Sequence, residues 1–157
     1  MRKSLLIALA AFMLLGAGSA FAEYEGTFAG TGKGYCYPYE SLIIYPFQTW
    51  QGELTVTEDD GVWLFEGTWQ DNEGNHGTLK DCKLQKPHPS ASYLWSFMPG
   101  SWYWLETVNG VEVPRFGGQF CIGIDISTEE SPCDGFWFTH EWPPSWVENP
   151  FEGHRVP

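Results

Sequence analysis

Beyond residue 23 the chain alternates hydrophobic and polar residues over short runs, and no helical stripe interrupts them. Glu53-Leu54-Thr55-Val56-Thr57 sets Leu54 and Val56 on one face. After the turn Glu58-Asp59-Asp60-Gly61, residues 62–69 return with Trp63, Phe65 and Trp69 on one face. Gly67 leaves a gap among these rings, as a bend or close backbone approach in a barrel wall requires. A second hairpin turns at Asn109-Gly110, a pair suited to the positive φ angles of a type I′ turn. It joins residues 102–108 to residues 111–113.

A third hairpin pairs residues 116–126 with residues 133–140. Phe116, Phe120, Ile122, Ile124 and Ile126 occupy even positions, as do Phe136 and Phe138. Setting Cys121 opposite Cys133 makes these faces coincide, and a one-residue slip separates them. Directly opposed residues lie within disulfide range, so this register predicts Cys121–Cys133 and, by elimination, Cys36–Cys82. Further strands are expected at residues 24–30, 42–47, 77–84 and 92–97. Glycine and proline punctuate the whole length. The predicted fold is all-β: an antiparallel up-and-down β-barrel or β-sandwich of about 8–10 short strands, disulfide-stabilised. The strand glycines favour the barrel. Gly26-Thr27-Phe28, Gly67-Thr68-Trp69 and Gly118-Gln119-Phe120 share a Gly-x-aromatic rhythm. That rhythm is similar in style to avidin-like and lipocalin-like up-and-down barrels, and no binding residue carries over from either.

The ends read differently. Arg2 and Lys3 precede an uninterrupted apolar run, residues 5–15, followed by Ala20-Phe21-Ala22. This is the pattern of a secretory signal peptide over residues 1–22, and the run is shorter than the roughly 20 residues of a membrane span. The expectation is a secreted or periplasmic chain with no membrane span after cleavage. Residues 23–141 form the β domain. Residues 142–157, rich in Trp and Pro, are expected as an extended tail packed on it, since proline removes ladder donors.

Charge narrows the partners. Without Arg2 and Lys3, six basic residues face 20 acidic ones, a net charge of −14. Such a surface repels phosphate backbones, so nucleic acid is not an expected partner. The 17% aromatic content rules against an acidic disordered chain. Four cysteines without a Cys-x-x-Cys spacing suit disulfides of an exported protein rather than zinc.

The residues 65–81, FEGTWQDNEGNHGTLKD, look the most chemical. Asp71, Glu73 and Asn75 alternate like the start of a calcium loop. The sixth position from Asp71 is His76 rather than glycine and the twelfth is Cys82 rather than an acid, so the count fails. A hairpin tip is the better reading. Gly30-Thr31-Gly32-Lys33-Gly34 lacks the hydroxyl residue of a P-loop, and His140-Glu141 runs into Pro143. No Gly-x-Ser-x-Gly nucleophile elbow occurs. No metal or cofactor is therefore expected, and no catalytic residue is assigned. Glu66 is the strand acid weighed for a hydrolase, a solvated residue being the simpler account.

The aromatic residues carry the functional expectation. Trp95, Phe97, Trp102, Tyr103 and Trp104 crowd one window, with rings on both faces of a strand. A β layer buries one face unless the second lines a cavity or an interface. Trp63, Phe65, Trp69, Trp102, Tyr103 and Trp104 are the candidate lining of a site for a small apolar or glycan ligand in a non-enzymatic binding protein. One alternative is an interaction module, an enzyme inhibitor or envelope subunit, meeting a basic protein partner with acidic loops around Asp59, Asp60, Glu129 and Glu130. Another is a small glycan hydrolase. An enclosed aromatic pocket marks the first, a filled core with an exposed aromatic patch the second, and two facing carboxylates in a cleft the third.

Overall fold

The computed structural model describes residues 24–32, 47–59, 61–71, 73–139 and 149–157. Among the described residues nine strands follow in order: β1 (Gly26–Gly32), β2 (Phe47–Val56), β3 (Val62–Asp71), β4 (His76–Gln85), β5 (Tyr93–Met98), β6 (Gly100–Val108), β7 (Val111–Asp125), β8 (Cys133–Thr139) and β9 (Asn149–Val156). Every pairing is antiparallel, and β9 returns to β1, so eight strands close a barrel and leave no free edge. β5 is the additional strand. It shares one wall position with β6: β4 pairs β6 through residues 77–80 and β5 through residues 83–85, and β7 receives both from the other side. Pro99 separates the two, where a residue without an N–H ends one ladder before the next begins.

The interior is filled by rings. Phe28, Trp50, Trp63, Phe65, Trp69, Trp102, Phe120, Trp137 and Phe151 belong to one buried cluster with Leu54, Leu79, Leu84, Leu94, Ile122 and Ile124. The rings meet edge to face, Trp50 against Phe65 at 5.9 Å and against Phe151 at 5.4 Å, the geometry the aromatic quadrupole favours. Glycines make the room. A Cβ on Gly52 would sit 2.3 Å from the Phe65 ring, and one on Gly117 would sit 2.1 Å from the Trp102 ring. Gly67, directly opposite Gly52, would drive a Cβ to 2.2 Å from the Gln51 carbonyl oxygen. That is the close backbone approach expected of it.

The Asn109-Gly110 turn has φ of 53° and 80°, as type I′ requires. The third hairpin differs from expectation. β8 pairs Cys121 with Phe136 and Ile124 with Cys133, three residues away from the expected register. The cause is Trp137, which faces the core opposite Phe120, whereas Phe136 and Phe138 stack on one another at 6.4 Å, half-buried. Turned inward, the Trp137 indole meets Trp102 edge to face at 5.5 Å. The Cys121–Cys133 bridge is therefore not made, and no disulfide joins the described cysteines. Cys36, and with it the proposed Cys36–Cys82 bridge, lies outside the described residues. Burial pushes the Cys82 and Cys133 thiols up to about 12, which leaves them protonated and unreactive at neutral pH.

The C-terminal residues also correct the tail reading. Residues 149–156 are the strand that closes the barrel, with Phe151 buried and Glu152 and His154 exposed. Pro150 stands at the second residue of β9, a strand start where the missing donor is tolerated. Residues 140–148 lie outside the described residues.

Where β5 leaves β7, the buried Ser96 hydroxyl takes over the ladder. Its Oγ donates to the Ile122 carbonyl at 2.8 Å, accepts from the Ile122 N–H at 2.7 Å and lies 3.2 Å from Cys82 Sγ. Ser96→Ala leaves the Ile122 donor and acceptor buried without a partner, and each such group costs roughly 1–3 kcal/mol. Urea unfolding of Ser96→Ala is expected to show a loss of about 2–4 kcal/mol with an unchanged m value; a loss within 0.5 kcal/mol, the range of an ordinary surface change, contradicts that role.

Candidate functional site

The six aromatic residues singled out in the sequence fall into two groups. Trp63, Phe65, Trp69 and Trp102 are core, with Trp102 only 5% exposed. Trp69 and Trp102 pack edge to face at 5.9 Å, and Trp102 meets Trp137 at 5.5 Å. Their indole N–H groups donate to backbone carbonyls of the barrel wall, Trp69 to Tyr103 and Trp102 to Phe138, both at 3.0 Å. Trp104 packs partly buried against this cluster. Tyr103 faces the other way and meets Phe116 at 5.7 Å. Trp63, Phe65, Trp69, Trp102 and Trp104 fill space in the barrel rather than surround an opening, and Tyr103 lies on the outer wall.

The chemical-looking stretch is a turn. The Asp71 carboxylate accepts from the Glu73 and Asn75 N–H groups at 2.8 and 2.9 Å and from Asn75 Nδ2 at 2.7 Å. Gly74 takes φ of 90° at the tip. Among the described residues no group of three or more His, Cys, Asp or Glu side chains is placed to hold a metal. Glu66 caps a bulge of β4, accepting from Lys80 Nζ at 3.5 Å and from the Asp81 N–H at 3.4 Å.

A concave feature among the described residues lies on the outer wall. A groove of about 830 Å³ crosses β5, β7, β8, β9 and β1. Strand register builds it as two rows of outward-facing residues. In the first, Trp95 stands opposite Gly123, Gly123 opposite Asp134, Asp134 opposite Glu152, and Glu152 opposite Thr31. In the second, Tyr93 stands opposite Asp125, and His154 opposite Ala29, with Pro132 between them accepting from the Asp125 N–H at 2.8 Å. In the first row the Trp95 indole lies over Gly123. A Cβ there would lie 2.7 Å from the Trp95 ring and 3.6 Å from Asp134 Oδ1, so the indole occupies the space that Gly123 vacates, with the Asp134 carboxylate beside it.

Two features set this groove apart electrostatically and chemically. Asp134 and Glu152 are like charges directly opposed on neighbouring strands, an arrangement that destabilises a sheet. Both are exposed, and among the described residues neither carboxylate has an ion pair or side-chain hydrogen bond. The aromatic rim is open: Tyr93 is 46% exposed and Trp95 39%, with Phe97 and Met98 continuing the exposed apolar run along β5. Asp125 is anchored by Ser127, whose hydroxyl and N–H hold its carboxyl below the usual carboxylate range. The β7–β8 turn beside it carries Glu129 and Glu130, two of the acids assigned to a basic partner from sequence.

The sequence reading missed Asp134 because it looked like an isolated acid of the expected strand 133–140, and Glu152 and His154 because they fell in the expected tail. The alternation Phe151-Glu152-Gly153-His154 was the available signal for a strand with two outward polar residues. Trp95 was noted among the crowded aromatics, but only the register shows that it faces carboxylates.

Comparison with known proteins adds no relative: no protein-family model matches the chain, and no curated protein or solved structure is detectably similar to it. Among the described residues no helix is long and apolar enough to cross a membrane.

Away from the groove, His76 at the start of β4 holds Glu112 of β7 through Nε2 at 2.8 Å, tying two neighbouring turns together. The hydrogen bond to Glu112 raises the His76 pKa above its ordinary 6.5, helped by the Gly74 carbonyl. The folded-state pKa lies above the unfolded one, so the pair stabilises fully below about pH 6.5 and fades as pH rises through the folded value. An NMR titration is expected to place His76 above 6.5 and to bring it back toward 6.5 in Glu112→Gln. A titration unaffected by Glu112→Gln contradicts the contact.

Proposed function

We propose that this chain is a non-enzymatic interaction module of the secreted or periplasmic space, a rigid filled barrel that engages a basic protein partner on its outer wall. The observation that carries the reading is the groove row in which exposed Trp95 borders the unpaired, directly opposed carboxylates of Asp134 and Glu152. A surface that places like charges side by side without an internal counter-ion is complemented by a cation, and an acidic chain steers one toward it. The exposed rings supply the apolar contact that makes such an encounter persist. A filled core with exposed aromatics is the pattern set out for an interaction module, and it weighs against a ligand enclosed by Trp63, Phe65, Trp69, Trp102, Tyr103 and Trp104.

A glycan ligand is the second reading. Tyr93 and Trp95 lie two residues apart on one face of β5, which suits sugar stacking. Hydrolysis is less well supported. Asp134 and Glu152 rise side by side from one open wall, whereas glycoside hydrolysis needs carboxylates on opposite sides of the bond to be cut.

Tryptophan fluorescence separates the readings. A short lysine- and arginine-rich peptide is expected to quench the emission saturably, with affinity falling as salt rises, and Trp95→Ala is expected to abolish the response. Saturable binding of neutral oligosaccharides together with indifference to the basic peptide overturns the interaction reading in favour of the glycan.

A further inference from the structure

Beside the groove stands an apolar ridge. Phe97 and Met98 at the end of β5 are 43% and 49% exposed, and Tyr93 and Trp95 continue the ridge along the same strand into the groove wall. Phe136 and Phe138, stacked and half-buried on β8, border it across β7. These six side chains leave roughly 450 Å² of ring and thioether surface open, on the basis of about 150–250 Å² for a whole aromatic side chain. A standard interface covers about 800 Å² on each partner, of which about 57–65% is apolar, so the ridge has the area of one such apolar centre. We infer that this wall packs against a second copy of the chain across a twofold axis near β7, the ridge of each copy seated in the groove of the other.

The borders of the wall supply a match in charge. Among the described residues, Lys80 pairs with Glu66, Arg115 pairs with Glu106, Lys86 lies over the Tyr24 ring and Arg155 donates to the Glu25 carbonyl. Lys83 has no such attachment, and its register partner on β5 is Met98, so it stands beside the ridge. On the opposite border Asp134 and Glu152 are unengaged in the same way. Gln85, Trp95, Gly123, Asp134 and Glu152 form one register row over β4, β5, β7, β8 and β9. β7 is the middle strand of that row, so half a turn about an axis through it exchanges β4 with β9 and β5 with β8. Lys83 of one copy then lies on the side of Glu152 and Asp134 of the other, and every such contact occurs twice. An apolar ligand or a neutral bilayer matches the rings but neither charged border, whereas a second copy matches all three. Both copies carry an excess of acid and repel at long range, so the lysine–carboxylate match sets their orientation. A second copy covers Trp95 and both acids, and it therefore competes with a basic partner for the same wall.

Sedimentation velocity of the full chain is the test. The chain is expected to sediment as a dimer at about 100 µM and to dissociate on dilution. Phe97→Ser, at an exposed position, is expected to weaken the dimer severalfold with an unchanged circular dichroism spectrum, and to leave quenching by the lysine- and arginine-rich peptide intact. Lys83→Glu and Glu152→Lys are each expected to weaken the dimer, and the double variant to restore it, because the pair re-forms in reverse across the axis. A chain that sediments as a monomer at about 100 µM overturns the dimer, while the basic-partner reading is decided separately by the peptide titration. A dimer indifferent to Phe97→Ser and to both charge reversals overturns the assignment of this wall as its interface. A monomer that floats with phosphatidylcholine vesicles, and no longer does so as Phe97→Ser, overturns the second copy in favour of a lipid surface.

Discussion

Everything in this molecule depends on large rings seated against bare backbone. Phe65 lies on Gly52, Trp102 on Gly117, Phe120 on Gly100 and Trp50 on Gly153. Each pair removes one side chain from the wall so that a ring can occupy its place, and each buried ring contributes about 2–3 kcal/mol of hydrophobic stabilisation. An eight-strand barrel has an interior just wide enough for side chains to fill. Here nine aromatic residues of the buried cluster do so. The consequence is functional as well as structural: an interior occupied in this way leaves contact with partners to the outer wall.

The outer wall is not uniform. On β1 to β4 the outward residues include Thr27, Thr31, Gln51, Glu53, Thr55, Glu66, Thr68, Gln70, Thr78 and Lys80, an ordinary solvated face. On β5 to β8 they include Tyr93, Trp95, Phe97, Tyr103, Phe116, Phe136 and Phe138. The groove lies where these halves meet, so that rings from β5 stand beside carboxylates from β8 and β9. The Pro99 break contributes to this arrangement. It splits one wall position into β5 and β6, and the Ser96 hydroxyl then bonds β5 to β7 at Ile122 while Trp95 stays directed outward.

How much of this was legible in the sequence follows from what each signal measures. Alternation found the strands of β3, β4, β5 and β7 and the hairpin at Asn109-Gly110, because period and turn chemistry are local properties. It placed Trp63, Phe65 and Trp69 together correctly. The register of β8 was not local. It turned on whether Trp137 or the pair Phe136 and Phe138 faces inward, and that choice depends on ring contacts with Trp102 across the barrel. The closing strand β9 was obscured by the prolines around it, although only Pro150 lies within the strand. The candidate site was least legible of all. Asp134, Glu152 and Trp95 are far apart in sequence and become one row only when three strand registers are known together.

The barrel is closed and its interior is filled by buried rings. Hydrogen exchange of the tryptophan indole N–H groups tests this most directly. The Trp69 and Trp102 indoles, which donate to the Tyr103 and Phe138 carbonyls, are expected to exchange only through global unfolding, while Trp95 exchanges at the rate of an open surface ring. Exchange of Trp69 and Trp102 as fast as Trp95 in the native state would show a solvent-filled interior and contradict the account.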